Sequence, residues 1–104
     1  MCIYLSKIPS NSMTITKFPK TKLMPTYIMC FAAGHYYEVP SNLPGVPMSL
    51  YCPLSVIDTV NNYSKFIFDI SSKCMKLYEA KFSTPYPFSK YDQIFIREGH
   101  FVGM

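Results

Sequence analysis

Between residues 56 and 77 the chain repeats apolar side chains with a fixed rhythm. Val56, Val60, Tyr63, Ile67, Ile70, Cys74 and Leu77 follow one another at alternating steps of four and three, the spacing that gathers side chains on one side of an α-helix. Ser55, with Asp58 three residues on, has the pattern of a capping box, which would satisfy the free amides of the first turn. A helix is therefore predicted from Ser55 to about Lys81, with these side chains as its buried face. A seven-residue repeat also suits a coiled coil, but Lys and Glu do not alternate along the flanks as a charged pairing interface would require. A single helix covering a sheet fits better. Pro85 and Pro87 in the segment Phe82 to Phe88 then stop it, because each disfavours helical backbone in the residue before it.

What flanks this helix reads as strand. Thr26 to Val39 is rich in aromatic and β-forming residues between Pro25 and Pro40 and is predicted to form one long strand, with a bulge or close backbone approach at Gly34 and with His35 as a strand residue at a sheet edge. Pro40 to Pro47 must turn, since its three prolines remove amide donors and Gly45 tolerates positive φ. Met48 to Cys52 follows as a second strand, and Ile94 to Ile96 as a short buried one near the end. Residues 1–25 read as irregular, with a short strand at Met13 to Thr16. Strands, a long helix and a strand make an α+β fold, with the helix laid against a sheet whose edge is left open. The chain closes on the apolar run Phe101-Val102-Gly103-Met104, where a self-contained domain would carry a tied-down element or a polar tail. The expectation is of an interruption.

At 104 residues one core is the most the chain can support. With 49% hydrophobic and 15% charged residues it is too apolar for disorder. No run approaches the ~20 residues of a membrane-spanning helix, and the start lacks the layout of a signal peptide, so the expectation is a soluble, cytoplasmic protein with no membrane partner. The net charge of +4 comes from Lys7, Lys17, Lys20 and Lys22, which all precede the first acid, Glu38. Phe18 is the only aromatic among those lysines and no arginine joins them, so a solvated loop is expected rather than a nucleic-acid interface. Cys2, Cys30, Cys52 and Cys74 form no C-x-x-C pair. Free thiols are expected, with Cys30 and Cys74 buried among apolar neighbours. The helix acids Asp58, Asp69 and Glu79 are expected to make weak ion pairs with Lys65, Lys73 and Lys76 on a solvated face.

A further pattern runs across about eighty residues. Lys22-Leu23-Met24-Pro25-Thr26-Tyr27-Ile28 with Phe31-Ala32-Ala33-Gly34, then Leu50-Tyr51-Cys52-Pro53, then Tyr78-Glu79, Phe82, Pro85-Tyr86-Pro87 and Lys90-Tyr91-Asp92 resemble, in order and spacing, the zinc aminopeptidases of the aminopeptidase N and puromycin-sensitive type, which are gluzincin metallopeptidases. The resemblance implies that residues 1–46 are strands from the end of a β-saddle N-terminal domain. It implies that residues 47–104 are the strand, helix and strand that open a thermolysin-like catalytic domain, stopping before the zinc site. In that family the strand matching Asp92 to Ile96 leads into a Gly-x-Met-Glu-Asn motif, whose glutamate grips the substrate's free amino group. Val102, Gly103 and Met104 stand where its first three residues would be, and are the implied substrate-binding positions. Val102 replaces the family's first glycine, and Gly99 stands where an aromatic is usual.

The family's catalytic apparatus is an H-E-x-x-H helix that binds zinc through two histidines one turn apart, with the glutamate as general base and a further glutamate as third ligand. None of it is present in this chain. Its histidines, His35 and His100, lie 65 residues apart, and Glu98 reads as a loop carboxylate. No catalytic or metal residue is therefore assigned, and zinc is expected only in a complete family member, whose substrate would be a peptide. The expectation is an inactive fragment of a zinc aminopeptidase. The alternative is a non-catalytic module that binds a protein partner, or itself, through exposed apolar surface.

Overall fold

A computed structural model describes residues 6–10, 13–18 and 20–96 of the chain. The chain divides into two compact units, Met1–Ala33 and Gly34–Met104.

In the first unit, strands β1 (Ser6–Ser10) and β2 (Met13–Lys17) form an antiparallel pair with Ile8 opposite Ile15 and Ser10 opposite Met13. The strand expected at residues 13–16 is present. Its partner β1 lies in a stretch read as irregular, because Pro9 argues against a strand there. A two-stranded ribbon has an outer edge on each strand, where a missing amide donor breaks no ladder bond, so the proline is tolerated. Further on, Thr26–Ile28 forms a single 3-10 turn closed by the Met29 amide donating to the Thr26 carbonyl at 3.1 Å.

That turn corrects the long strand expected over residues 26–39. Only β3, Tyr37–Pro40, is extended in a sheet. A strand persists where a neighbour completes its ladder, and the neighbour here, β4 (Met48–Cys52), is five residues long. It pairs from Tyr37 opposite Cys52 to Pro40 opposite Ser49, and residues 29–36 pair with no described strand. β-forming composition measures fit to a half-buried pleated surface, and no such surface reaches this stretch. His35 accordingly lies exposed ahead of β3 rather than in a sheet edge, and Gly34 is not a bulge. A Cβ at Gly34 would come within 3.1 Å of the Tyr36 ring, so the close approach there is to a side chain.

The second unit is a mixed sheet in the order β3-β4-β5, with β5 at Tyr91–Ile94. β3 and β4 are antiparallel, while β4 and β5 are parallel and joined by helix α1, Ile57–Phe82. A parallel pair requires such a crossover, because no short turn can reverse the chain twice. Between β3 and β4 the expected turn is present: Ser41 donates its amide to the Met48 carbonyl at 2.9 Å, and Gly45 takes φ +114°. The sheet thus joins strands from both sides of position 46.

β4 shows the period-2 logic of a half-covered strand. Met48, Leu50 and Cys52 are buried while Ser49 and Tyr51 are only partly covered. The buried side meets Val60 and Phe68 of α1, with Val39, Ile57, Ile67, Met75, Tyr91 and Phe95 packed around. Burying an aliphatic or aromatic side chain in this way contributes roughly 1.5–3 kcal/mol. The terminal strand, β5, starts three residues before the buried strand expected at Ile94 to Ile96 and ends at Ile94. Tyr91 and Phe95 turn inward and Ile94 and Ile96 are exposed, although the Phe95 amide still reaches the Tyr51 carbonyl at 2.8 Å. Alternation on a sheet covered on one side cannot bury three consecutive residues.

The helix has the expected extent but not the expected cap or face. Leu54–Val56 form a 3-10 turn, closed by the Val56 amide on the Pro53 carbonyl, and α1 begins at Ile57 behind Val56, with no side-chain cap. Ser55 sits inside that turn, so its hydroxyl is not at the cap position and the capping box does not form. At the other end Ser83 takes a left-handed φ of 50° just before Pro85 and Pro87. Of the expected face, Val60 and Ile67 pack on the sheet, whereas Val56, Tyr63 (60% exposed), Ile70, Cys74 and Leu77 (62% exposed) do not. The face that meets the sheet is Ile57, Val60, Ile67, Phe68 and Met75. At 3.6 residues per turn its centre lies about a quarter of a turn from the expected one. The helix is apolar around about half its circumference, so periodicity alone could not select the side that faces the sheet.

Candidate functional site

The substrate-binding positions implied by the resemblance, Val102, Gly103 and Met104, lie outside the described residues, as do Gly99, Glu98, His100 and Cys2. Among the described residues no group of three or more His, Cys, Asp or Glu side chains could hold a metal ion. Among the described cysteines Cys52 is the buried free thiol; Cys30 and Cys74 are free but exposed, contrary to the expectation for both. Cys74 lies on the part of α1 turned from the sheet, and Cys30 lies in the stretch without a strand partner. No helix among the described residues is long and apolar enough to cross a membrane.

Two arrangements in the second unit have the character of sites. The first is a groove of about 730 Å³ between the C-terminal half of α1 and the segment that returns to β5, walled by Ile70, Cys74, Tyr78, Phe82, Tyr86 and Tyr91. The prolines that stop the helix also build this segment. Glu79, expected in a solvated ion pair, instead accepts the Tyr86 amide at 2.7 Å and so holds the returning chain against the helix. The Tyr86 ring meets Phe88 and Tyr91 edge-on, with centroids 5.7 and 5.9 Å apart. Burial, reinforced by Tyr91 and Asp92, raises the pKa of the Tyr86 phenol. The phenol donates to the Lys90 carbonyl at 3.3 Å. The acid in the lining is engaged by an amide, so what the groove offers a ligand is chiefly apolar and aromatic contact.

The second arrangement is the sheet side facing away from the helix. Ser49 donates to Glu38 Oε1 at 2.7 Å, Tyr51 stands opposite Glu38, and Asp92 stands opposite Ser49. The Asp92 carboxylate is only 3% exposed and forms an ion pair with Lys90. Burial is the main reason the Tyr51 phenol is pushed up to about 12, with Asp92 and Glu38 adding to it. These groups come from three strands spanning residues 38–92, so no local motif signals them. The one sequence signal was the placement of Ser49 and Tyr51 between the apolar residues of β4. Of the expected helix ion pairs, Lys73 with Asp69 forms at 2.7 Å with both side chains exposed, where such a pair contributes about 0.5 kcal/mol or less.

No family model matches the chain, and no solved structure gives a significant match. Several curated proteins do, among them two aminopeptidases. Aminopeptidase N of Streptomyces lividans is 28% identical over 97 residues, covering 89% of this chain and 11% of that protein. Aminopeptidase M1-B of Oryza sativa subsp. japonica is 30% identical over 80 residues, covering 76% of this chain and 9% of that protein. The chain thus spans about a tenth of the length of the curated relatives it matches. These partial matches support an aminopeptidase-like relationship.

Proposed function

We propose that the chain is a scaffold portion of a zinc-dependent aminopeptidase, with residues 1–46 from the end of the N-terminal β-domain and residues 47–104 from the start of the catalytic domain. The observation that carries this reading is the pair of matches, which run through most of this chain and fall on a small share of two proteins named as aminopeptidases. The apolar side of α1 that faces no sheet supports it, since a helix apolar around about half its circumference belongs between two layers. In this reading the rest of the enzyme forms the second layer.

The described residues do not fit a zinc site, because they bring no set of ligands together. No step of peptide hydrolysis is assigned to them, and the chain alone is inactive. In the complete protein the zinc ligands would come from elsewhere in the sequence, and the ion they hold would supply an activated water. Val102, Gly103 and Met104 would then contribute to the loop that meets the peptide's amino end. The non-catalytic binding module remains the second reading, favoured by the same exposed helix side.

The two readings separate on the reading frame beyond the codon for Met104. Glu-Asn followed downstream by H-E-x-x-H is the expected result. A frame continuing without that zinc motif would overturn the enzyme reading in favour of the binding module. Activity adds a second check: the purified chain, given zinc and an aminoacyl arylamide, should release no more product than a protein-free blank. Zinc-dependent turnover would contradict the assignment of the catalytic groups to another part of the enzyme.

A further inference from the structure

We draw no further inference here: the strongest candidate, the exposed apolar row of Tyr63, Phe66, Ile70 and Leu77 along helix α1 beside the groove, belongs to the reading already given, and nothing in the structure shows what else covers it.

Discussion

The β1–β2 ribbon and the β3-β4-β5 sheet use strands of similar length, yet the described apolar side chains of the two units differ sharply in exposure. In the second unit, β4 and α1 supply the buried residues Met48, Leu50, Cys52, Val60 and Phe68. In the first, Ile15, Phe18, Leu23, Tyr27, Met29 and Phe31 are all exposed. Strand pairing satisfies backbone amides in both. Among the described residues only the second sheet has a helix laid across one side, and an isolated two-stranded ribbon is marginal in water. Apolar composition becomes stability only where another element excludes water from it.

The sharpest way to break this comparison is a matched pair of truncations. Leu50→Ala removes a fully buried side chain and should lower the unfolding free energy by about 3 kcal/mol, whereas Ile15→Ala, half-exposed in the ribbon, should change it by less than about 0.5 kcal/mol. Denaturant titration of both variants would measure this. Equal losses would show that Ile15 is as well covered as Leu50.

The polar side of the second sheet allows the next test. Asp92→Asn leaves Lys90 without its counter-charge in a largely covered position, and the expected loss is about 2 kcal/mol. A stability unchanged by that substitution would mean that the ion pair contributes nothing net. Tyr51 gives a smaller effect with a defined sign. Its phenol is raised from 10.0 to about 12 in the folded chain, so the unfolded chain loses that proton first. The stabilisation is therefore complete below pH 10 and disappears as the pH climbs through 12, amounting to about 1–2 kcal/mol. Tyr51→Phe should flatten the alkaline fall in the denaturation midpoint relative to the unaltered chain, and a parallel fall in both would remove the assignment.

The smallest effect concerns the segment that closes the groove. Glu79→Ala should lower stability by about 1 kcal/mol and speed hydrogen exchange at the Tyr86 amide, while Glu79→Gln, which keeps an acceptor, should do less of both. Unchanged exchange at that amide in Glu79→Ala would show that the returning segment is held by its aromatic contacts instead.

Legibility differed sharply between neighbouring elements. β4 was readable to the residue because Pro47 and Pro53 bracket it and its apolar positions alternate. The length of α1 was readable for the same local reasons, a sustained 3.6-residue period ended by Pro85 and Pro87. Residues 26–36 misled because their side chains suit a strand that no described neighbour completes, and β1 was hidden by Pro9. The Glu38–Ser49–Tyr51–Asp92 cluster was invisible because its members meet only through strand register. The exposed Cys74 and the buried Cys52 likewise both fall in the apolar pattern of their elements and differ in which side of the element meets the core.

By itself, the sequence determined where the chain must turn, where it must be helical and which residues are apolar, since these follow from proline geometry, backbone propensity and periodicity acting over a few residues. Only the tertiary structure decided which side of α1 is core, which of the β-forming stretches becomes a strand, and where Glu79 and Asp92 find their partners. Those outcomes depend on ladder partners and covering layers distant in sequence, and local spacing carries no information about them.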